Sequence, residues 1–209
     1  MIKRTFDIIV SFLGLVILTP LLLLLAVVIK LDSRGPIFFR QERIGKGFRP
    51  FFIFKFRTMV QIVSDQGRLI TVGDDPRITR VGRFLRKSKF DELPQLINVL
   101  RGDMSLVGPR PEVRRYVELF RKDYEQILKI RPGITDLASL KYHNEAAVLE
   151  RFENPEAEYC NRILPDKISL SKEYVKNSSF IFDLALIVKT LPKIFGRSSI
   201  RVMFFRDSA

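Results

Sequence analysis

The chain has 209 residues, of which 46% are hydrophobic, and its formal net charge is +13. This length suits one domain with a modest core, and a chain that is both basic and apolar favours a membrane surface over nucleic acid as its partner. One cysteine and one histidine exclude an internal disulfide and a thiolate zinc cluster, so acid–base chemistry has to rest mainly on carboxylates.

The first predicted element is an apolar segment near the N-terminus. Residues 8–29 carry no charge, and about 22 residues can span the hydrocarbon core of a bilayer. Basic residues flank both ends of the segment, so a simple spanning helix has no clearly preferred orientation. A secretory signal peptide is disfavoured, because no small-residue cleavage site follows the apolar run.

Thr19 and Pro20 lie near the midpoint of this segment. Proline removes a helix hydrogen bond and bends the helix, and the Thr19 hydroxyl can bond the backbone carbonyls that the bend frees. Two arms of about 11 residues, each about 16 Å long, would reach about halfway through the hydrocarbon layer. From the residues alone, a re-entrant helix–break–helix over residues 1–34 and a spanning helix are about equally favoured.

Residues 36–59 predict two short strands around the turn Gly45-Lys46-Gly47. Alternation on the second strand separates a phenylalanine face from a face that contains Lys55 and Arg57. The two cations are either a solvated strand face or part of an anion site. The turn itself lacks the Walker pattern and does not predict a phosphate loop.

Arginines recur at every third position from Arg77 to Arg86. On a helix this spacing forms a basic stripe, with Ile78, Val81 and Leu85 on the apolar side. Such a helix either lies on a membrane surface or is an ordinary solvated amphipathic helix.

The most informative stretch is "DELPQLINVLRG", residues 91–102. Its leucines and isoleucine have helical spacing, and Gly102 is a plausible helix end. Pro94 is tolerated only in the first turn of a helix, which places Asp91 near the N-cap and Glu92 in the first turn, at the positive end of the helix dipole. Asp91 is then either a structural cap or a functional carboxylate.

Several features favour the functional interpretation of these carboxylates. A carboxylate held ionised can act as a nucleophile, and its neighbour can hold Mg²⁺, which prefers carboxylate and phosphate oxygens. Nearby basic side chains can bind a diphosphate. Arg110, between two prolines, and Arg131, in "RPGIT", are rigidly presented arginines that suit bidentate phosphate contacts, although structural loops also use proline and glycine.

The remaining residues predict helices. Residues 178–196 are apolar but interrupted by Asp183, Lys189 and Pro192, so we expect an interfacial or core helix there, not a second span. His143 has no visible partner and is interpreted as a structural or rim residue. The fold class is therefore α+β and mostly helical: an N-terminal membrane segment over residues 1–34, a short β-hairpin, and amphipathic interfacial helices around a small globular domain over residues 35–209.

These motifs resemble the bacterial sugar transferases, the monotopic polyprenyl-phosphate phosphoglycosyl transferases. The resemblance covers nearly the whole chain and is carried by residues 3–59, 78–112, 131–135 and 173–184. Members of that family enter one leaflet with a helix broken at a Ser-Pro-like pair, where this chain has Thr19-Pro20. The resemblance implies the re-entrant form, with the catalytic domain on the cytoplasmic face of the bacterial inner membrane.

The resemblance also implies a mechanism. Asp91 would attack the β-phosphate of a UDP-sugar, UMP would leave, and a polyprenyl phosphate (undecaprenyl phosphate) would take the phospho-sugar from the covalent intermediate. Glu92 would assist, with Mg²⁺ held by Glu92 and Asp91. The candidate phosphate and nucleotide ligands in matching motifs are Lys55, Arg57, Arg86, Arg110 and Arg131. The product would begin a glycoconjugate such as a capsule, O-antigen, exopolysaccharide or glycoprotein glycan.

The chain departs from the family pattern in places. Many members have an acid where Ser171 aligns, and often a glycine where Asp136 stands. Residues 137–165 resemble one subgroup, so the sugar is not specified, and neither the polyprenyl length nor a homodimer is decided. Two other functions stay open from the residues: a membrane glycosyltransferase that releases UDP, and a basic membrane-anchored binding protein without chemistry.

Overall fold

A computed structural model describes residues 1–60, 73, 75–142 and 145–194, so His143 lies outside the described residues. The described chain is mostly helical, with two small sheets. Its helices are α1 (Ile2–Asp32), α2 (Arg80–Ser88), α3 (Gln95–Arg101), α4 (Arg114–Leu119), α5 (Arg121–Ile127), α6 (Leu137–Lys141), α7 (Glu145–Leu149), α8 (Pro155–Glu158), α9 (Leu164–Asn177) and α10 (Phe180–Ile194). Its strands are β1 (Phe38–Ile44), β2 (Pro50–Phe56), β3 (Ser105–Val107) and β4 (Gly133–Thr135).

The N-terminal apolar segment forms one helix, α1, that continues through Pro20. The break in secondary structure expected at Thr19-Pro20 is therefore not observed, because a proline removes one helix hydrogen bond without ending the turns on either side. The Thr19 hydroxyl donates to the carbonyl of Leu15 at 2.7 Å. The helix is long and apolar enough to cross a membrane, and only 11% of its most apolar 18-residue stretch is buried in the protein.

Both halves of α1 contact the rest of the protein. The first half packs on α3, with Gly14 directly against Leu96. The second half packs on α2 and β2, where Leu25 and Ile29 form a core cluster with Phe56. The helix therefore lies along the globular body and leaves its opposite face uncovered.

The predicted hairpin is confirmed, with β1 and β2 pairing antiparallel from Phe38 opposite Phe56 to Ile44 opposite Pro50. The turn uses Gly47 at φ 65°, a left-handed conformation that glycine adopts without strain. Of the two alternatives for the face that carries Lys55 and Arg57, the solvated face is wrong. Ile53 packs on α3 while Phe56 packs on α1 and α2, so both faces of β2 are covered.

The predicted basic helix is confirmed in part. It begins after Thr79, whose hydroxyl accepts the backbone N–H of Gly82 at 2.9 Å, so Arg77 lies before it. The apolar side is as expected, with Leu85 fully buried. Arg86 turns inward, leaving Arg80 and Arg83 on the exposed face.

A parallel pairing of β3 with β4, not predicted from sequence, joins "GPRPE" to "RPGIT". The two backbones touch at Gly108 and Gly133, where a Cβ on Gly133 would lie 2.0 Å from the Gly108 nitrogen. Only glycines permit that approach. This pairing places Arg110 immediately beyond the end of the sheet.

The described residues after Val113 are mostly helical, as expected, and the last two of the predicted 178–196 helix lie outside the described residues. The amphipathic stretch after Val113 divides into α4 and α5 at Phe120. In α10, Leu186 is buried, whereas Ile181 and Val188 are 80% and 65% exposed. This helix therefore has both a core face and an exposed apolar face.

Candidate active site

Asp91 and Glu92 lie in a 3₁₀ turn, Phe90–Glu92, between α2 and α3. The helix that follows begins at Gln95, after Pro94, and Asp91 makes no capping hydrogen bond. The predicted N-cap position is therefore wrong by about one turn, because Pro94 leaves the preceding residues in the tighter 3₁₀ form. Asp91 is 8% exposed, and its Oδ1 is buried without a hydrogen-bond partner among the described residues.

Glu92 is the centre of an ion-pair cluster. Its Oε1 accepts from Lys55 Nζ at 2.9 Å and from Arg110 Nη2 at 2.5 Å, and its Oε2 accepts from Arg110 Nη1 at 3.4 Å. Lys55 comes from β2 and Arg110 from the loop after β3, so three distant segments meet at one carboxylate. Both oxygens of Glu92 are thereby occupied.

The pKa values of the two adjacent carboxyls are shifted in opposite directions. Burial raises the pKa of Glu92, but Arg110 and Lys55 outweigh burial and hold that pKa well below its usual value. Burial, together with the charge on Glu92, raises the pKa of Asp91, although Lys55, Lys89 and Arg86 oppose the rise. From the helix dipole, both carboxylates are expected to be stabilised as anions. The pKa shifts agree with this for Glu92 but not for Asp91.

Arg86 also lies beside this pair. Its Nε donates to Thr58 Oγ1 at 2.9 Å, and its Nη2 contacts Met59 Sδ at 3.1 Å. Its charge acts on Asp91. The structure thus brings together five of the residues singled out from the sequence: Asp91, Glu92, Lys55, Arg86 and Arg110.

Two predicted phosphate ligands lie elsewhere. Arg57 is 4% exposed, and its Nη2 donates to the Ser33 carbonyl at 2.6 Å and to the Ile29 carbonyl at 3.3 Å, at the end of α1. Arg131 donates from Nε to the Gly102 carbonyl at 2.8 Å, which is the far end of α3 from Glu92. In this structure both arginines bind helix C-termini, where cations are favoured.

Sequence reasoning missed two polar residues that hold the cluster together. Asn98 accepts from the Phe54 N–H at 3.0 Å and donates to the Phe52 carbonyl at 2.8 Å, which joins α3 to the strand that carries Lys55. Asp136 accepts from the Arg110 N–H at 3.1 Å. The detectable signals were a polar side chain inside an apolar helix for Asn98 and the cap pattern "DLAS" for Asp136.

Ser171, the departure from the family acid, makes an ordinary intrahelical contact. Its hydroxyl donates to the Lys167 carbonyl at 2.8 Å within α9. Bonding to the preceding turn is a common arrangement for a helical serine.

A second buried charge cluster supports the segment after Arg110. Glu112 is 7% exposed and accepts from the Tyr159 hydroxyl at 2.7 Å. Arg43 Nη1 lies 3.4 Å and Lys167 Nζ lies 3.7 Å from its oxygens. Burial raises the pKa of Glu112, but Lys167 and Arg43 outweigh burial and lower that pKa below 4.5.

We expect Glu112→Gln to destabilise the fold by about 1–3 kcal/mol at pH 7, because a buried carboxylate loses its charge beside two cations. A lowered pKa stabilises the fold above the unfolded-state value of about 4.5 and loses that effect as pH falls through the folded-state value. The melting temperatures of the wild type and Glu112→Gln should therefore differ at pH 7 and approach each other as the pH falls below about 4.5. The control is Glu118→Gln, an exposed acid paired with Arg121; an equal loss there would refute the interpretation.

The profile described as bacterial sugar transferase matches residues 1–197 of this chain. The chain belongs to the bacterial sugar transferase family. The resemblance inferred from the motifs is thereby confirmed.

Similar relatives differ in length. A UDP-N-acetylgalactosamine-undecaprenyl-phosphate N-acetylgalactosaminephosphotransferase of Aeromonas hydrophila is 41% identical over 92% of this chain and 43% of its own length. A UDP-glucose:undecaprenyl-phosphate glucose-1-phosphate transferase of Escherichia coli is 36% identical over 93% of this chain and 40% of its own length. The exopolysaccharide production protein ExoY of Sinorhizobium fredii is 36% identical over 92% of this chain and 84% of its own length. The chain therefore spans about two fifths of the first two relatives and most of the third.

Proposed function

We propose that this chain transfers a sugar-1-phosphate from a UDP-sugar to a polyprenyl phosphate, such as undecaprenyl phosphate, and releases UMP. The observation that carries the proposal is the buried Asp91 carboxylate, with one unpartnered oxygen, beside a neighbour neutralised by Lys55 and Arg110. The names of the relatives from Aeromonas hydrophila and Escherichia coli supply the substrate classes. The product would be the first lipid-linked unit of a glycoconjugate.

In the first step an oxygen of Asp91 forms a bond to the β-phosphorus of the UDP-sugar. The bond from that phosphorus to the oxygen bridging the two phosphates breaks, and UMP leaves with the electron pair. Asp91 suits this role better than Glu92, because both oxygens of Glu92 already accept hydrogen bonds. Lys55, Arg86 and Arg110 would offset the charge that develops on the phosphates.

In the second step an oxygen of the polyprenyl phosphate attacks the phosphorus held by Asp91. The aspartyl–phosphorus bond breaks, the phospho-sugar moves to the lipid, and Asp91 is restored as a carboxylate. Two displacements replace a single one, so the donor nucleotide and the lipid need not occupy the site together.

Asp91 and Glu92 would also hold Mg²⁺, Glu92 through its Oε2, whose single contact, with Arg110, is the longest of the three to Glu92 at 3.4 Å. The unpartnered Asp91 oxygen fits an ion that commonly binds one or two carboxylates and completes its shell with substrate phosphates and water. Among the described residues no group of three or more His, Cys, Asp or Glu side chains is placed to hold a metal. When bound, the ion would neutralise charge on the diphosphate.

We further infer that α1 enters and leaves the membrane on the same side. At its start, Lys3 Nζ donates to the Val107 carbonyl at 2.8 Å, to the Tyr174 hydroxyl at 2.8 Å and to Asp183 Oδ2 at 2.7 Å. At its end, Arg57 holds the Ser33 carbonyl. A helix that crossed the bilayer would carry one of these ends away from the body that binds both.

The exposed surface beside α1 supports the same placement. Phe84 on α2 is 57% exposed beside the exposed Arg80 and Arg83, a pattern typical of helices that lie at a lipid headgroup region. The N-terminus of α10 packs on α1 through Phe6 and Phe180, whose ring centroids are 5.3 Å apart. We propose the cytoplasmic face of the bacterial inner membrane, where basic residues are retained and the UDP-sugar is found.

The released nucleotide tests the proposal. Purified protein with Mg²⁺ and a panel of UDP-sugars should release more than one UMP per enzyme molecule only when undecaprenyl phosphate is present. Release of UDP would identify an ordinary glycosyltransferase instead. No nucleotide from any sugar, combined with salt-sensitive binding of nucleic acid in the absence of membrane, would identify a binding protein.

A further inference from the structure

Asp136 follows β4 directly and is 1% exposed. Its Oδ1 accepts from the Ser139 N–H at 2.7 Å, and its Oδ2 accepts from the Arg110 N–H at 3.1 Å. The first bond caps α6. The second reaches across to the loop after β3, so each oxygen serves a different segment.

The main chain of residues 109–111 is attached on its acceptor side by two hydrogen bonds, from the Gly133 N–H to the Pro109 carbonyl at 3.0 Å and from Arg43 Nη1 to the Pro111 carbonyl at 3.1 Å, and on its donor side at Arg110. Pro109 and Pro111 have no N–H, so Arg110 supplies the single main-chain donor of those three residues. The sheet ends just before it, with the Gly108 N–H donating to the Thr135 carbonyl at 3.0 Å. The bond to Asp136 therefore extends the pairing of β3 with β4 by one residue, through a side chain.

The side chain of Arg110 depends on where that main chain lies. Its guanidinium reaches Glu92 at 2.5 Å through Nη2, next to Asp91. Displacing a group near the reacting atoms by about 1 Å can cost about 100-fold in rate. The charge of Asp136 also favours the protonated form of Arg110, second to the larger effect of Glu92.

We propose that Asp136 is a positioning residue: its carboxylate fixes the main chain of Arg110 so that the guanidinium stays on Glu92. Asp136 touches neither substrate in this scheme, and it acts only through Arg110. The proposal rests on the transferase function inferred above, since the guanidinium matters only if chemistry occurs at Asp91.

The test compares Asp136→Asn with the wild type. Asparagine keeps an oxygen for the Ser139 N–H and is a good N-cap, but its amide group presents N–H toward the Arg110 N–H. We expect the melting temperature to fall, because the Arg110 N–H loses its acceptor, with the protein still folded at the assay temperature. We expect kcat for UMP release to fall about 10–100-fold and KM for the UDP-sugar to change little. The matched control is Asn154→Ala, which removes the cap of α8 from the Ala157 N–H and should leave kcat unchanged.

A double-mutant cycle separates positioning from general stability. In an Arg110→Ala background, Asp136→Asn should cause no further loss of kcat, because the group it positions is gone. A fully additive loss would overturn the proposal, as would an equal fall in kcat for Asn154→Ala.

Hydrogen exchange distinguishes this inference from the proposed function. Arg110 has the one exchangeable amide of residues 109–111, and that amide should lose protection in Asp136→Asn but not in Asn154→Ala. Retained protection would refute the positioning role even if UMP release is confirmed. If the wild type releases no UMP while protection is lost as expected, the transferase function fails and the structural attachment of Arg110 stands.

Discussion

Asp91→Asn is expected to reduce UMP release by roughly 10⁴-fold or more, as removal of a covalent nucleophile does, while the fold is retained. The exchange keeps the size of a side chain that makes no capping bond and has one unpartnered oxygen, so little packing changes. The loss follows because an amide oxygen cannot form the acyl–phosphate bond and later leave as a carboxylate. The measurement is steady-state UMP release with undecaprenyl phosphate and the preferred UDP-sugar.

Intact mass of the protein gives a second, independent test of Asp91. Without the lipid acceptor, the wild type should gain the mass of one phospho-sugar, and Asp91→Asn should gain none. Glu118→Gln, a substitution at an exposed acid, should behave as the wild type in both assays. Turnover above about 1% of the wild type in Asp91→Asn, or an adduct on that variant, would remove Asp91 as the nucleophile.

Pro20→Ala is expected to change the topology of α1. Alanine restores the backbone donor that proline lacks and removes the clash that bends a helix, so a straight apolar helix of 31 residues, about 46 Å long, can span the bilayer. The N-terminus would then move to the opposite side in a substantial fraction of molecules, and turnover would fall with it. The bonds from Lys3 to Asp183 and Tyr174 would be broken in that fraction.

Cysteine accessibility measures this change cleanly, because Cys160 is the single cysteine of the chain. In a Cys160→Ala background, Ile2→Cys and Glu118→Cys should both label from the same side of a vesicle when Pro20 is present. With Pro20→Ala, Ile2→Cys should label from the other side and Glu118→Cys should not move. Same-side labelling in both proteins would show that the contacts of Lys3 and Arg57, and not Pro20, set the topology.

Much of the secondary structure was predictable, because local patterns decide it. Alternation and a glycine turn located the hairpin, and helical spacing ended at Gly102 located α3. The failures were at boundaries and faces. Pro94 held Asp91 and Glu92 in a 3₁₀ turn and not in the first turn of the helix. Residues on both faces of β2 pack against helices. The alternation of the sequence did not indicate this, because one face contains phenylalanines and the other contains both isoleucine and lysine.

The candidate site was predictable as a set of residue types but not as an assembly. Adjacent carboxylates with basic residues nearby indicated phosphate chemistry, and the long motif around Asp91 indicated the family before any geometry was known. The assignment of partners was not available, because Lys55 and Arg110 are far from Glu92 in the chain and meet it only through the packing of β2 on α3 and the pairing of β3 with β4. Asp136 reaches the Arg110 N–H through the same pairing.

The sequence by itself determined the apolar helix, the hairpin and the carboxylate pair, since each depends on neighbours within a few residues. Only the tertiary structure decided which arginines face that pair. Arg86 and Arg110 turn toward Asp91 and Glu92, whereas Arg57 binds the end of α1. The physical reason is that a guanidinium lies wherever folding brings an acceptor, a carboxylate in one case and the free carbonyls of a helix end in the other.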